Sequence, residues 1–134
     1  MSRVAYVNGS YVPLHEASVH VEDRGYQFAD GVYEVIALRG NRMVDAQGHF
    51  DRLWRSMGEL QIDEPMTEPA MKLVIDQLVR RNRLPNALIY IQVTRGVAAR
   101  DFKFPKAGPR GATPPWSLPS ARPSLIIPNS CAMA

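Results

Sequence analysis

The 134 residues contain one cysteine, Cys131, close to the C-terminal end. A disulfide framework within one chain is excluded, which fits a reducing, cytoplasmic setting. Lysine is nearly as scarce, with only Lys72, Lys103 and Lys106. The three histidines, His15, His20 and His49, have no metal-ligand spacing. No apolar run is long enough to cross a bilayer, and the N-terminus lacks a signal-peptide core. Neither a Walker A loop nor a G-x-G-x-x-G fingerprint occurs, and no nucleophile elbow marks a hydrolase serine. Acid is missing from the end of the chain, since no Asp or Glu follows Asp101.

Arginine is abundant instead. Thirteen arginines make up most of the cationic charge, and the net charge is only +3. They are spread along the chain, which argues against a nucleic-acid footprint. Their planar forks suit carboxylate or phosphate, so a small anionic ligand is the better fit. Hydrophobic residues at 46% and charged residues at 22% suit one globular domain with a single core.

Asn8-Gly9 between Val4–Val7 and Tyr11-Val12 predicts a β-hairpin. Val19–Val21 reads as a short extended piece, and 22–31 as turn. Val32–Leu38 predicts a strand that turns at Arg39–Arg42 and returns at Met43-Val44. From Asp45, a candidate N-cap, the stripe Phe50, Leu53, Trp54, Met57, Leu60 has helical spacing. A second helix starts at Thr67 with Pro69 in its first turn, carries Met71, Val74, Ile75 and Leu78, and stops by Leu84-Pro85-Asn86. Ala87–Arg95 is a strand with one apolar face (Ala87, Ile89, Ile91, Val93) and one half-polar face (Leu88, Tyr90, Gln92, Thr94). The order predicts an α+β two-layer domain over 1–104, a mainly antiparallel sheet with two helices on one face. Residues 105–134 hold seven of the eleven prolines and read as a Pro-rich tail; only Ser124–Ile127 has strand character there.

Three local features could carry chemistry. In EDRGYQFADGVYEV, residues 22–35, Tyr33 and Glu34 take opposite faces of one strand. Glu34 shares its face with Val32, Ile36 and Leu38 and needs a cationic partner there, for which an arginine is suited. Tyr33 is either a ligand contact or a packed aromatic. Arg52, beside the core stripe of the first helix, either reaches an anion over the sheet or faces solvent. Arg100, after Thr94-Arg95-Gly96, is either a carboxylate clamp or a mobile loop tip.

The segments EDRGYQFADGVYEV, HFDRLWRSM and IYIQVTRGVAAR, in this order, resemble the class IV aminotransferases, the fold-type IV pyridoxal-phosphate enzymes, and most of all their D-amino-acid branch. The resemblance runs from about Ala5 to about Pro105 and implies the fold of that family's N-terminal domain. It implies that Arg52 holds the cofactor phosphate. It implies that Tyr33 binds the substrate carboxylate, that Tyr90 lines the pocket, and that Arg100 reaches across a dimer interface to the same carboxylate. Two departures accompany it. The branch has a histidine two residues after its loop arginine, where this chain has Phe102. The family's second domain supplies a covalent lysine and a glutamate for the pyridinium nitrogen, and neither Lys72, Lys103 nor Lys106 matches that lysine's motif. The implied protein is therefore a truncated D-amino-acid aminotransferase-like chain, acting on an amino acid and a 2-oxo acid with weak or absent activity. Its pyridoxal phosphate would be held non-covalently or be absent. The alternative is a non-catalytic half-domain that self-associates, most simply as a homodimer, or binds a partner.

Overall fold

A computed structural model of the chain describes residues 3–105 and the backbone of 122–126. The first hairpin forms as its turn chemistry dictates. Strands β1 (Val4–Val7) and β2 (Ser10–Pro13) pair antiparallel, and Asn8 and Gly9 both take positive φ, 49° and 95°. Val19–Val21 forms no strand. A short helix α1 (Arg24–Phe28) occupies what reads as turn in the sequence, with the Asp23 carboxylate capping Gly25 N at 2.8 Å. Five residues are too few to show a helical period, so the cap and the tertiary contacts described below decide its conformation.

Strand β3 (Gly31–Arg39) turns through Gly40-Asn41 into the two-residue β4 (Arg42–Met43). Helix α2 (Ala46–Glu59) buries Phe50, Leu53 and Met57. Asp45 stands at its N-cap, but with φ 49° and no side-chain cap bond, because the chain must reverse sharply from β4. Leu60 lies past the last turn and is exposed rather than part of the stripe. Helix α3 (Glu68–Asn82), capped by Thr67, buries Met71, Ile75, Leu78 and Val79. Its far end is tied to β1, where the Asn82 side chain bonds Val4 N and Val4 O at 3.1 and 3.0 Å.

Strand β5 (Ala87–Thr94) runs antiparallel to β3 along eight residue pairs. Its odd residues are buried and meet Ile36, Leu38 and the two long helices in one core. The predicted α+β architecture, an antiparallel sheet with two helices on one face, is therefore the observed one. The stretch read as tail adds β6 (Arg122–Ile126), inserted between β1 and β5 so that the sheet order is β2-β1-β6-β5-β3-β4. Residues 106–121 and 127–134, with Lys106 and Cys131, lie outside the described residues.

Candidate functional site

Strand β4 covers only Leu38 and Arg39 of β3. From Ile36 back to Gly31, no strand among the described residues lies beside the outer edge of β3. Helix α2 runs along that edge and sets Arg52, Arg55 and Ser56 against Tyr33, Glu34 and Val35. Together they line a cleft of about 430 Å³.

Glu34 sits on the helix-facing side of β3, beside Ile36, and is 5% exposed. A carboxylate there must be compensated. Arg52 does so with a bidentate fork, Nε to Oε1 at 2.6 Å and Nη2 to Oε2 at 2.7 Å. His49, one turn earlier on α2, adds a contact from Nδ1 to Oε2 at 2.7 Å. The Arg52 hydrogen bonds draw the Glu34 carboxyl below the usual carboxylate range, against the upward push of burial, with His49 helping. The same pair raises the Arg52 guanidinium, which stays charged at any working pH. Arg52 is not fully spent. Its side chain is 56% exposed, and its Nη1 makes no hydrogen bond to a described residue.

On the opposite face of the sheet, Tyr33 is 65% exposed and stacks on Tyr90, ring centroids 5.7 Å apart. Tyr90 donates to Gln92 Oε1 at 3.2 Å, and burial pushes its hydroxyl pKa up. The half-polar face of β5 is thus brought beside Tyr33, as the alternation predicts.

A second polar group lies at the other end of β3. Asp30 Oδ2 accepts from Arg24 Nε at 2.8 Å and Arg95 Nε at 2.7 Å. Arg24 also donates to Asp101 O at 2.8 Å, with its guanidinium 4.6 Å from the Phe28 ring centre. Arg95 spends Nη1 and Nη2 on the carbonyls of Gln61 and Leu60 just past the end of α2. Asp23 Oδ2 accepts from the Thr94 hydroxyl at 3.1 Å. Helix α1 packs so closely here that a Cβ on Gly25 would fall 2.2 Å from Thr94 Cγ2. Burial raises the Asp30 pKa, but the bonds from Arg95 and Arg24 outweigh it and the net shift is downward. Sequence reasoning does not assemble this corner, although the Asp and Arg residues in 22–35 and in Thr94-Arg95-Gly96 all belong to it.

Arg100 lies in the loop that Arg24 anchors, 5.3 Å from the Phe28 ring centre, and is exposed. Phe102, 85% exposed, packs edge-on to Phe28. Arg100 does not line the cleft that holds Arg52 and Tyr33. Lys72 is turned elsewhere, to Glu68 at 2.6 Å and Gln47 at 3.3 Å. No cluster of metal-ligating side chains occurs among the described residues, and no described helix is long and apolar enough to cross a membrane. His49 is a site residue that the sequence does not single out from the other two histidines; its spacing of three from Arg52 on one helix face is the available signal.

Comparison with known proteins gives these features a context. The sequence model of the amino-transferase class IV family matches residues 31–130, which carries the likeness past Pro105. D-alanine aminotransferase of Staphylococcus haemolyticus is 41% identical over 100 residues, 75% of this chain and 36% of that protein. D-alanine aminotransferase of Listeria innocua is 41% identical over 91 residues, 68% of this chain and 32% of that protein. The chain thus spans about a third of the length of these curated relatives. Among solved structures, a branched-chain amino acid aminotransferase from Escherichia coli superposes with a TM-score of 0.74 at 18% identity, over 95% of this chain and 40% of that one. The branched-chain amino acid aminotransferase from the thermophilic archaeon Thermoproteus uzoniensis, with norvaline, gives a TM-score of 0.69 at 21% identity, over 95% of this chain and 40% of that one.

Proposed function

The chain belongs to the amino-transferase class IV family, and we propose that it carries the phosphate-holding and substrate-facing part of a pyridoxal-phosphate site for amino-group transfer between an amino acid and a 2-oxo acid. The observation that carries this reading is the unspent Nη1 edge of Arg52, held at the cleft beside Tyr33. A phosphate needs a fixed cation with open donors, and Arg52 meets both conditions. The pairing with Glu34 does not remove this capacity, because it consumes only the Nε and Nη2 directions.

When bound, pyridoxal phosphate supplies the aldehyde and the electron-withdrawing ring on which amino groups are exchanged. Arg52 would hold the phosphate end with its open donors. Glu34 keeps that guanidinium in place and balances its charge. Tyr33 offers its exposed hydroxyl to the substrate carboxylate, and Tyr90, stacked against it, forms the wall behind. Arg100 serves the same carboxylate from a second copy of the chain in a cytoplasmic homodimer, a role consistent with its exposure and its distance from its own cleft. The D-alanine aminotransferase relatives support a D-amino acid as substrate; Phe102, an exposed apolar side chain, weakens the loop's hold on the carboxylate. No lysine among the described residues lines the cleft, and the reading is of a cofactor held non-covalently, with weak or absent turnover by the 134 residues.

Titration of the chain with pyridoxal phosphate, followed by borohydride reduction and peptide mapping, tests this. A saturable absorbance change with no reduced adduct on Lys72, Lys103 or Lys106 is expected. Absence of any saturable change would remove the cofactor from the account.

A second reading is favoured by a separate observation. Tyr33 and Val35 are exposed on the sheet face turned away from the helices, which suits a half-domain that self-associates without catalysis. Light scattering of the ligand-free chain separates the two: a dimer that shows no cofactor binding supports the second reading.

A further inference from the structure

We propose that Glu34 and His49 are positioning residues that fix the Arg52 guanidinium side-on, so that its Nη1 edge is kept for an anion in the cleft. The inference rests on the reading of Arg52 as the phosphate-holding group and adds how that group is kept ready.

The carboxylate is the fixed point. Glu34 is buried beside Ile36, so it cannot swing into water. An arginine can meet a carboxylate side-on, through Nε and Nη2, or end-on, through Nη1 and Nη2. Only the side-on form leaves Nη1 open, and it is the form observed, at 2.6 and 2.7 Å. The end-on form would spend Nη1 as well.

His49 explains the choice. Its Nδ1 lies 2.7 Å from Glu34 Oε2. Two lone pairs would repel at that distance, so Nδ1 carries the proton and donates. The 3.3 Å approach of Arg52 Nη2 to the same Nδ1 is then two donors side by side on one acceptor. His49 therefore acts on Arg52 only through Glu34. By occupying Oε2 from one side, it sets the rotation of the carboxylate plane and leaves the guanidinium one bidentate registration. Helix α2 provides this convergence, because residues three apart share a face. Asp45, at the start of α2, adds a negative charge near Arg52 but does not touch the fork.

The test uses the full 134-residue chain and two readouts. In the ¹⁵N-labelled chain, water exchange of the Arg52 Nε–H reports the fork without any ligand. We expect His49→Ala to speed that exchange about tenfold, the loss of roughly one charge-assisted hydrogen bond. His49→Asn, whose amide can donate from near the Nδ1 position, should restore most of the protection. Glu34→Gln, which keeps the shape and loses the charge, should speed exchange as well and serves if His49→Ala does not fold. For ligands, His49→Ala should weaken pyridoxal phosphate binding about tenfold and leave phosphate-free pyridoxal unchanged. Unchanged Nε–H exchange in His49→Ala, or failure of His49→Asn to restore it, overturns the positioning role. Phosphate binding that survives Arg52→Ala overturns the underlying reading of Arg52 instead, whatever the exchange data show.

Discussion

Two arginine–carboxylate groups flank β3, and they differ in what they leave over. At the corner, Asp30 takes Nε from both Arg24 and Arg95, whose side chains are 4% and 13% exposed. Arg95 spends its remaining nitrogens on two backbone carbonyls, and Arg24 donates to a third. At the open edge, Glu34 takes only one side of Arg52, whose side chain is 56% exposed. The corner converts guanidinium forks into architecture. It pins the end of α2, holds α1 and ties down the loop that carries Arg100. The edge group uses just enough of the fork to hold it still. Arg95 keeps no nitrogen free of a partner, whereas Arg52 keeps Nη1 without one among the described residues.

The comparison can be broken first at the corner. Asp30→Ala leaves the buried Arg24 and the largely enclosed Arg95 guanidinium groups close together without their shared counter-charge. It should cost roughly 3–5 kcal/mol of stability, read from the urea midpoint. Gly25→Ala forces a Cβ into Thr94 and should cost about 1–3 kcal/mol in the same assay. Arg52→Ala should behave differently. Its main effect is on phosphate binding, and in NMR titration the Glu34 carboxyl pKa should rise from its lowered value because its principal hydrogen-bond donor is gone.

The same contrast predicts acid behaviour. The Glu34 and Asp30 carboxyls both titrate below their unfolded values in the folded chain. Their contribution to stability is thus present above an unfolded pKa of about 4 and is lost as pH falls through the lowered folded values. Acid unfolding followed by circular dichroism should lose part of its pH dependence in Asp30→Asn. The smallest expected effect is that of Tyr33→Phe. The Tyr33 side chain is largely exposed, so loss of its hydroxyl leaves stability, read from the urea midpoint, within about 0.5 kcal/mol of the parent.

Much of the fold is legible in the sequence because its signals are local. Asn8-Gly9 defines a hairpin by turn chemistry, and the stripes of α2 and α3 repeat long enough to show their period. Helix α1 is hidden because it is a single turn and a half whose stability comes from Asp23, Gly25 and Thr94, residues up to 71 apart in sequence. Strand β6 shows its pattern at Ser124–Ile127, but its place between β1 and β5 depends on pairing across long stretches of chain. In the site, alternation shows that Glu34 requires a cation on the apolar face. Which of thirteen arginines answers is a matter of tertiary packing, as is the third partner, His49.

The central claim is that Arg52 holds back one edge for a phosphate while Arg95 holds back none. Its most direct test is the affinity of the chain for pyridoxal phosphate relative to phosphate-free pyridoxal, measured for the parent and for Arg52→Ala. The account predicts a preference for the phosphorylated form of about tenfold or more in the parent, and none in Arg52→Ala. A preference of equal size in both proteins would contradict it.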